Sequence, residues 1–114
     1  MELISLREMC ELLKVSRRSV QCYEKEGLMQ ATCKNKYGHL LYDRKTVERA
    51  EKIRFLQQLG FKLKEVKQII DAPDDVLKES IKERLEKLEV EQSKLNKLIH
   101  EAMDYIGNQS ASQK

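Results

Sequence analysis

A chain of 114 residues with 36% charged side chains, one Pro, two Phe, four Tyr and no Trp suits one small helical domain and leaves little apolar material for a second independent core. The fold is therefore expected to be mainly α, elongated or oligomeric, and completed by partner chains. The net charge of +3 divides unevenly, with 15 Lys and Arg against 10 Asp and Glu over residues 1–72 and 7 against 9 over residues 73–114; the first part is the nucleic-acid candidate, although an excess of this size also suits a solvated surface.

In chain order, Ser5-Leu6-Arg7-Glu8 has the form of a capping box, in which the Ser hydroxyl and the Glu carboxylate satisfy orphan N–H groups at a helix start. Leu6, Met9, Cys10 and Leu13 then make one apolar stripe, which predicts a short first helix. Lys14-Val15-Ser16 predicts a tight turn with Ser16 capping a second helix, whose Val20 and Tyr23 face the first until Gly27 ends it. Two short helices across a tight turn suggest a helix-turn-helix. From Leu28 to Tyr42 the helical period is lost, Thr32, Tyr37 and Gly38 appear, and Leu40, Leu41 and Tyr42 return, which reads as a small β-hairpin, a wing. Asp43 caps a third helix with Val47, Ala50, Ile53, Leu56 and Leu59 inward and Gly60 as its stop; Val66, Ile69 and Ile70 mark a short fourth. Asp71-Ala72-Pro73-Asp74 is the joint between modules.

Beyond the joint, Ile81, Leu85, Leu88, Gln92, Leu95, Ile99, Ala102 and Ile106 recur at alternating four- and three-residue steps, the seam of a coiled coil. At 1.5 Å per residue the seam spans about 35 Å, longer than a small domain, so pairing with a second copy is favoured over packing on the chain's own domain. Gln92, the polar exception, either fixes register at some cost in stability or is merely tolerated. The expected division is a winged helix-turn-helix over 1–72, a dimerisation helix over 73–107 and a flexible polar tail over 108–114.

Cys10, Cys22 and Cys33 are odd in number and form no C-x-x-C pair, which suits a reducing cytosol better than a disulfide framework or a zinc site. No apolar run approaches the ~18 residues of a membrane span, and the start MELISLREMC lacks the basic and apolar regions of a signal peptide. A cytoplasmic protein without membrane contact is expected. Two histidines in different modules, no nucleophile-and-base pairing and no Gly-rich phosphate loop leave nothing on which to build a reaction. No catalytic residue, cofactor or metal is expected.

These residues resemble the mercury-resistance-regulator (MerR) family. The signature reads Ser5-Leu6-Arg7-Glu8, Val15 to Val20, Tyr23-Glu24-Lys25-Glu26-Gly27-Leu28, then Gly38 and Tyr42, and finally Phe55-Leu56-Gln57-Gln58-Leu59-Gly60-Phe61, a match over residues 2 to 71. The resemblance implies an antiparallel coiled coil for the last helix and a homodimer that places each second helix in a major groove and each wing against neighbouring phosphates. It also implies promoter DNA as partner, with a spacer too long for RNA polymerase, and activation by distorting that spacer, so that polymerase is reached through the promoter. Two-fold symmetry in the protein selects a palindromic site.

Arg17 and Arg18 start the second helix, where side chains reach base edges or flanking phosphates; Ser16 and Ser19 can donate to phosphate oxygens. For each arginine the competing reading is a solvated helix face, and Tyr23 is divided between DNA contact and core packing. In the wing, Lys34, Lys36, Tyr37, His39 and Tyr42 alternate basic and aromatic character, as suits a hairpin along a phosphate backbone, though Tyr42 is equally a packing residue. His39 has no second ligand near it in sequence and reads as a surface residue before a metal ligand or pH sensor. Lys62 and Lys64 resemble the family's second wing, or are a plain surface pair.

The chain departs from the family where Arg-Tyr-Tyr-Glu is usual, having Gln21-Cys22-Tyr23-Glu24, and where the wing is usually Asn-Gly-Tyr-Arg, having Tyr37-Gly38-His39-Leu40. Each lost phosphate contact weakens binding and lowers its salt slope by about one unit, so a weaker affinity or an unusual operator follows. Gln21 can instead read an adenine edge. Metal-sensing relatives place Cys ligands on and beyond the dimer helix, where this chain has none after Cys33; drug-sensing relatives append a ligand domain, whereas residues 107–114 are all that follow Ile106. A thiol sensor at Cys22 or Cys33, near basic Lys34, stays open beside a spectator role. Two other functions remain in view: a coiled-coil interaction module with a degenerate winged helix, suggested by the missing arginines, and a DNA-architectural factor, against which the long helix counts.

Overall fold

In the computed structural model, which describes residues 2–112 along the backbone and residues 2–108 in their side chains, the chain runs β1 (Ile4–Ser5), α1 (Leu6–Leu13), α2 (Arg17–Lys25), β2 (Cys33–Lys34), β3 (Leu40–Tyr42), α3 (Arg44–Leu59), α4 (Leu63–Ile69) and α5 (Asp74–Ser112). The helix boundaries follow local capping chemistry. Ser5 Oγ accepts from Glu8 N and Glu8 Oε1 accepts from Ser5 N, both at 3.1 Å, closing the box that starts α1. Ser16 Oγ accepts from Ser19 N at 3.0 Å to start α2, and Asp43 Oδ1 accepts from Thr46 N at 2.9 Å to start α3. Gly60 ends α3 at φ 112°, a left-handed conformation that glycine enters without a Cβ clash.

Met9 and Leu13 of α1, Val20 and Tyr23 of α2, Tyr42 of β3, Val47, Ala50, Ile53 and Leu56 of α3, and Val66 of α4 form one core. Leu59, expected inward, is only half-buried. Leu28 and Met29, which begin the segment expected to form the wing, are buried in that core, and the strands of the wing begin at Cys33. The sheet has three strands in the order β1-β3-β2, all antiparallel, with Ile4 opposite Tyr42 and Cys33 opposite Leu41. β1 was not foreseen: two residues carry no period, and Ser5 serves both as strand end and as helix cap.

Arg49 of α3 ties the end of α4 to the segment after α2. Its Nε donates to the Leu28 carbonyl, and its two terminal nitrogens donate to the two Asp71 carboxylate oxygens at 2.7 and 2.8 Å. The guanidinium holds the Asp71 carboxyl below the usual carboxylate range. Because the folded value lies below the unfolded one of about 3.9, this contribution to stability is present above about pH 4 and is lost as pH falls through the folded value. Asp71→Asn is therefore expected to lower the thermal midpoint at pH 7 and to show a smaller further drop on acidification to about pH 3 than the unsubstituted chain. Equal acid sensitivity of the two would remove Asp71 from this role.

The chain divides into two units after Leu77, whose buried side chain places the first turn of α5 with the first unit. From Lys78 onward α5 is by itself an extended helix, and it continues through Ser112 into the residues 108–114 expected to form a polar tail. Gly107 alone costs a helix about 1 kcal/mol, too little to end it where no proline follows. Gln113 and Lys114, the rest of that expected tail, lie outside the described residues.

Candidate nucleic-acid interface

Burial of Val20 and Tyr23 fixes which way α2 turns, and the residues three and four positions apart on its other side face solvent: Arg17, Arg18 and Gln21 are exposed, as is the cap Ser16, while Ser19 is half-buried. The Ser16 and Ser19 hydroxyls lie 3.0 Å apart, so both take part in the cap before any ligand arrives. An exposed row opening with two arginines at the positive end of a helix is well suited to anionic oxygens.

The wing is shaped by Asn35. Its Oδ1 accepts from Tyr37 N at 2.9 Å and His39 N at 3.0 Å, and its carbonyl accepts from Gly38 N at 3.0 Å, with Gly38 at φ 80°. This ordered turn presents Lys34, Lys36, Tyr37 and His39 to solvent. Lys36 Nζ sits 5.1 Å from the Tyr37 ring centre, and the Tyr37 and His39 rings are 6.3 Å apart and tilted by 43°. Lys62 is exposed at the start of α4, where its N–H donates to Glu65 Oε1 at 2.9 Å; Lys64, two residues on, is exposed as well.

Tyr23 and Tyr42 do not stand with these residues. Tyr23 is 1% exposed and donates its hydroxyl to Gln57 Oε1 at 2.8 Å; Tyr42 is fully buried and donates to Glu24 Oε1 at 2.6 Å. Both rings gain more from the core than from water, and each hydroxyl finds an acceptor there. Burial first, and then the Glu24 carboxylate, push the Tyr42 phenol well above its ordinary range, which keeps it a donor. Through these bonds Tyr42 joins the central strand to α2, and Tyr23 joins α2 to α3. Glu24 and Gln57 stand in the sequence only as members of the family signature, without a role, and Asn35 and Arg49 stand outside it; of the four only Asn35, three residues before Gly38, carries a turn signal.

Cys10, Cys22 and Cys33 are free thiols, and burial pushes the Cys10 thiol up. Among the described residues no group of three His, Cys, Asp or Glu side chains is placed to share a metal ion, and no helix is long and apolar enough to cross a membrane. On α5 taken alone, Leu85, Gln92, Leu95, Ile99, Ala102 and Ile106 are exposed and Ile81 and Leu88 half-buried, so the eight positions form a stripe largely open to solvent.

Residues 4–73 match the family profile described as "MerR HTH family regulatory protein", and residues 47–104 match one described as "MerR, DNA binding". The nodulation protein NolA of Bradyrhizobium diazoefficiens is 34% identical over 84 residues, covering 74% of this chain and 35% of that protein; the chain spans little more than a third of the length of such relatives. The N-terminal part of MtaN, the Bacillus subtilis multidrug transporter activator, superposes with a TM-score of 0.69 at 25% identity, covering 85% of this chain and 92% of that one. HiNmlR, a MerR family regulator lacking the sensor domain and bound to promoter DNA, shares the fold with a TM-score of 0.76 at 18% identity, covering 96% of this chain and 94% of that one. With its capped helix pair, three-stranded wing and long final helix, this chain belongs to the MerR family of helix-turn-helix transcription regulators.

Proposed function

We propose that the protein is a sequence-specific DNA-binding transcription regulator acting as a homodimer on a palindromic promoter site. The observation that carries this reading is the shared exposure of Arg17, Arg18 and Gln21 on α2 and of Lys34, Lys36, Tyr37 and His39 on the wing, above a core that anchors α2 through Val20 and Tyr23 and the wing through Tyr42. The start of α2 enters a major groove, where Arg18 and Gln21 reach base edges, and the wing lies along phosphates beside it. Two copies pair antiparallel through the Ile81–Ile106 stripe and set the spacing of two half-sites. RNA polymerase is then affected through the promoter, whose overlong spacer the dimer distorts; the protein works in the cytoplasm.

The test is fluorescence anisotropy with duplex from the protein's own promoter region across a salt series, beside Arg18→Ala. The expected result is tight binding that falls steeply with salt and is weakened by Arg18→Ala about tenfold or more. Binding no better than to random duplex, and indifferent to Arg18, would point to an interaction module in which the exposed stripe of α5 is the working surface.

A further inference from the structure

Between the start of α1, the start of α2 and the wing lies a concavity of about 470 Å³. Leu6, Leu40 and Leu41 give it an apolar lining, Arg7, Arg17 and His39 line it as well, and no carboxylate does. Two other concavities mix the signs: one beside α3 is lined by Glu2 and Arg44, and one on α5 by Glu83, Glu86 and Glu91 with Lys87 and Lys94.

Arg7 was read from sequence only as part of a capping box, yet its side chain is 83% exposed and turned to the same hollow as Arg17. Its contact with Glu11 one helical turn away, Nε to Oε1 at 3.3 Å, is a screened surface pair that a phosphate group displaces readily. Guanidinium groups match phosphate oxygens in a two-pronged geometry that lysine lacks. On the wing side Gly38 leaves the approach open: a Cβ there would meet nothing within 4 Å.

Resting on the DNA-binding reading above, we propose that this concavity receives one backbone phosphate of the bound duplex and that Arg7 of α1 is a DNA contact. The phosphate lies between Arg7 and Arg17 with His39 at its edge, so α1, α2 and the wing form one continuous basic track. Recognition here is of the phosphodiester and carries no base preference.

The experiment measures promoter-duplex binding by the full chain and by Arg7→Gln, Arg44→Gln and Arg18→Ala across a salt series. Arg44 pairs with Glu48 at the same 3.3 Å, is 89% exposed and lies outside the concavity, so Arg44→Gln makes a matched charge change. Arg7→Gln is expected to weaken binding about tenfold and lower the salt slope by about one unit, with Arg44→Gln within about twofold of the unsubstituted chain. Replacing phosphates one at a time by methylphosphonate should find one position at which the unsubstituted chain and Arg7→Gln bind alike. If Arg7→Gln behaves as Arg44→Gln does while Arg18→Ala loses binding, the concavity is no phosphate site and the regulator reading stands. If the unsubstituted chain itself shows no preference for promoter duplex, both proposals fall together.

Discussion

For the homodimer proposed above, replacing Leu95 and Ile99 together by Asp is expected to abolish pairing and to lower affinity for a two-half-site duplex by about 100-fold or more. In the single chain these side chains are 60% and 55% exposed, so nothing within one copy depends on their being apolar. A coiled-coil seam does depend on it, because each knob is buried in a hole of the facing helix and a carboxylate there loses its hydration without a partner. Both residues lie beyond Leu77, the last buried residue of the first unit, whose melting should be unchanged. What is lost is the second half-site, held at high effective concentration only while two copies stay joined. Sedimentation would read the dimer and anisotropy the affinity; a dimer that survives both substitutions would take the Ile81–Ile106 stripe out of the interface.

Much of the fold was legible because it is written in short-range chemistry. Ser5, Ser16 and Asp43 each start a helix where sequence placed the start, since a cap needs only its own side chain and the next turn of backbone. Gly27 and Gly60 end helices for an equally local reason. What stayed hidden depends on residues far apart in the chain. Tyr42 meets Glu24, Tyr23 meets Gln57 and Arg49 meets Asp71, and no local pattern announces any of these pairs. Leu28 and Met29 read as the beginning of a wing because neither sits in a periodic segment; they prove to be core. The exposed side of α2 was legible by complement, since assigning Val20 and Tyr23 inward leaves Arg17, Arg18 and Gln21 outward. The aromatic residues were the ambiguous ones: a tyrosine suits a core and a phosphate backbone alike, and only burial separates Tyr37 from Tyr42.

Tyr23→Ala is expected to destabilise the first unit by about 3–5 kcal/mol, as emptying a buried aromatic site typically does. Loss on that scale is comparable with the whole stability of a small domain, about 5–15 kcal/mol, so much of the variant would be unfolded at 37 °C. Tyr23→Phe keeps the ring and removes only the hydroxyl that donates to Gln57 Oε1, and is expected to cost about 1 kcal/mol. Half-buried Gln57 can recover that bond from water. The pair of substitutions also separates the two roles a tyrosine at this position can play. A core residue predicts that Tyr23→Phe, once folded, binds promoter duplex with unchanged affinity and salt slope, because its hydroxyl faces α3 and not the exposed row of α2. A DNA contact predicts the reverse, little change in denaturant midpoint and a clear loss of binding. Measuring both quantities on Tyr23→Phe therefore decides whether α2 touches DNA through Tyr23 or is only held in place by it.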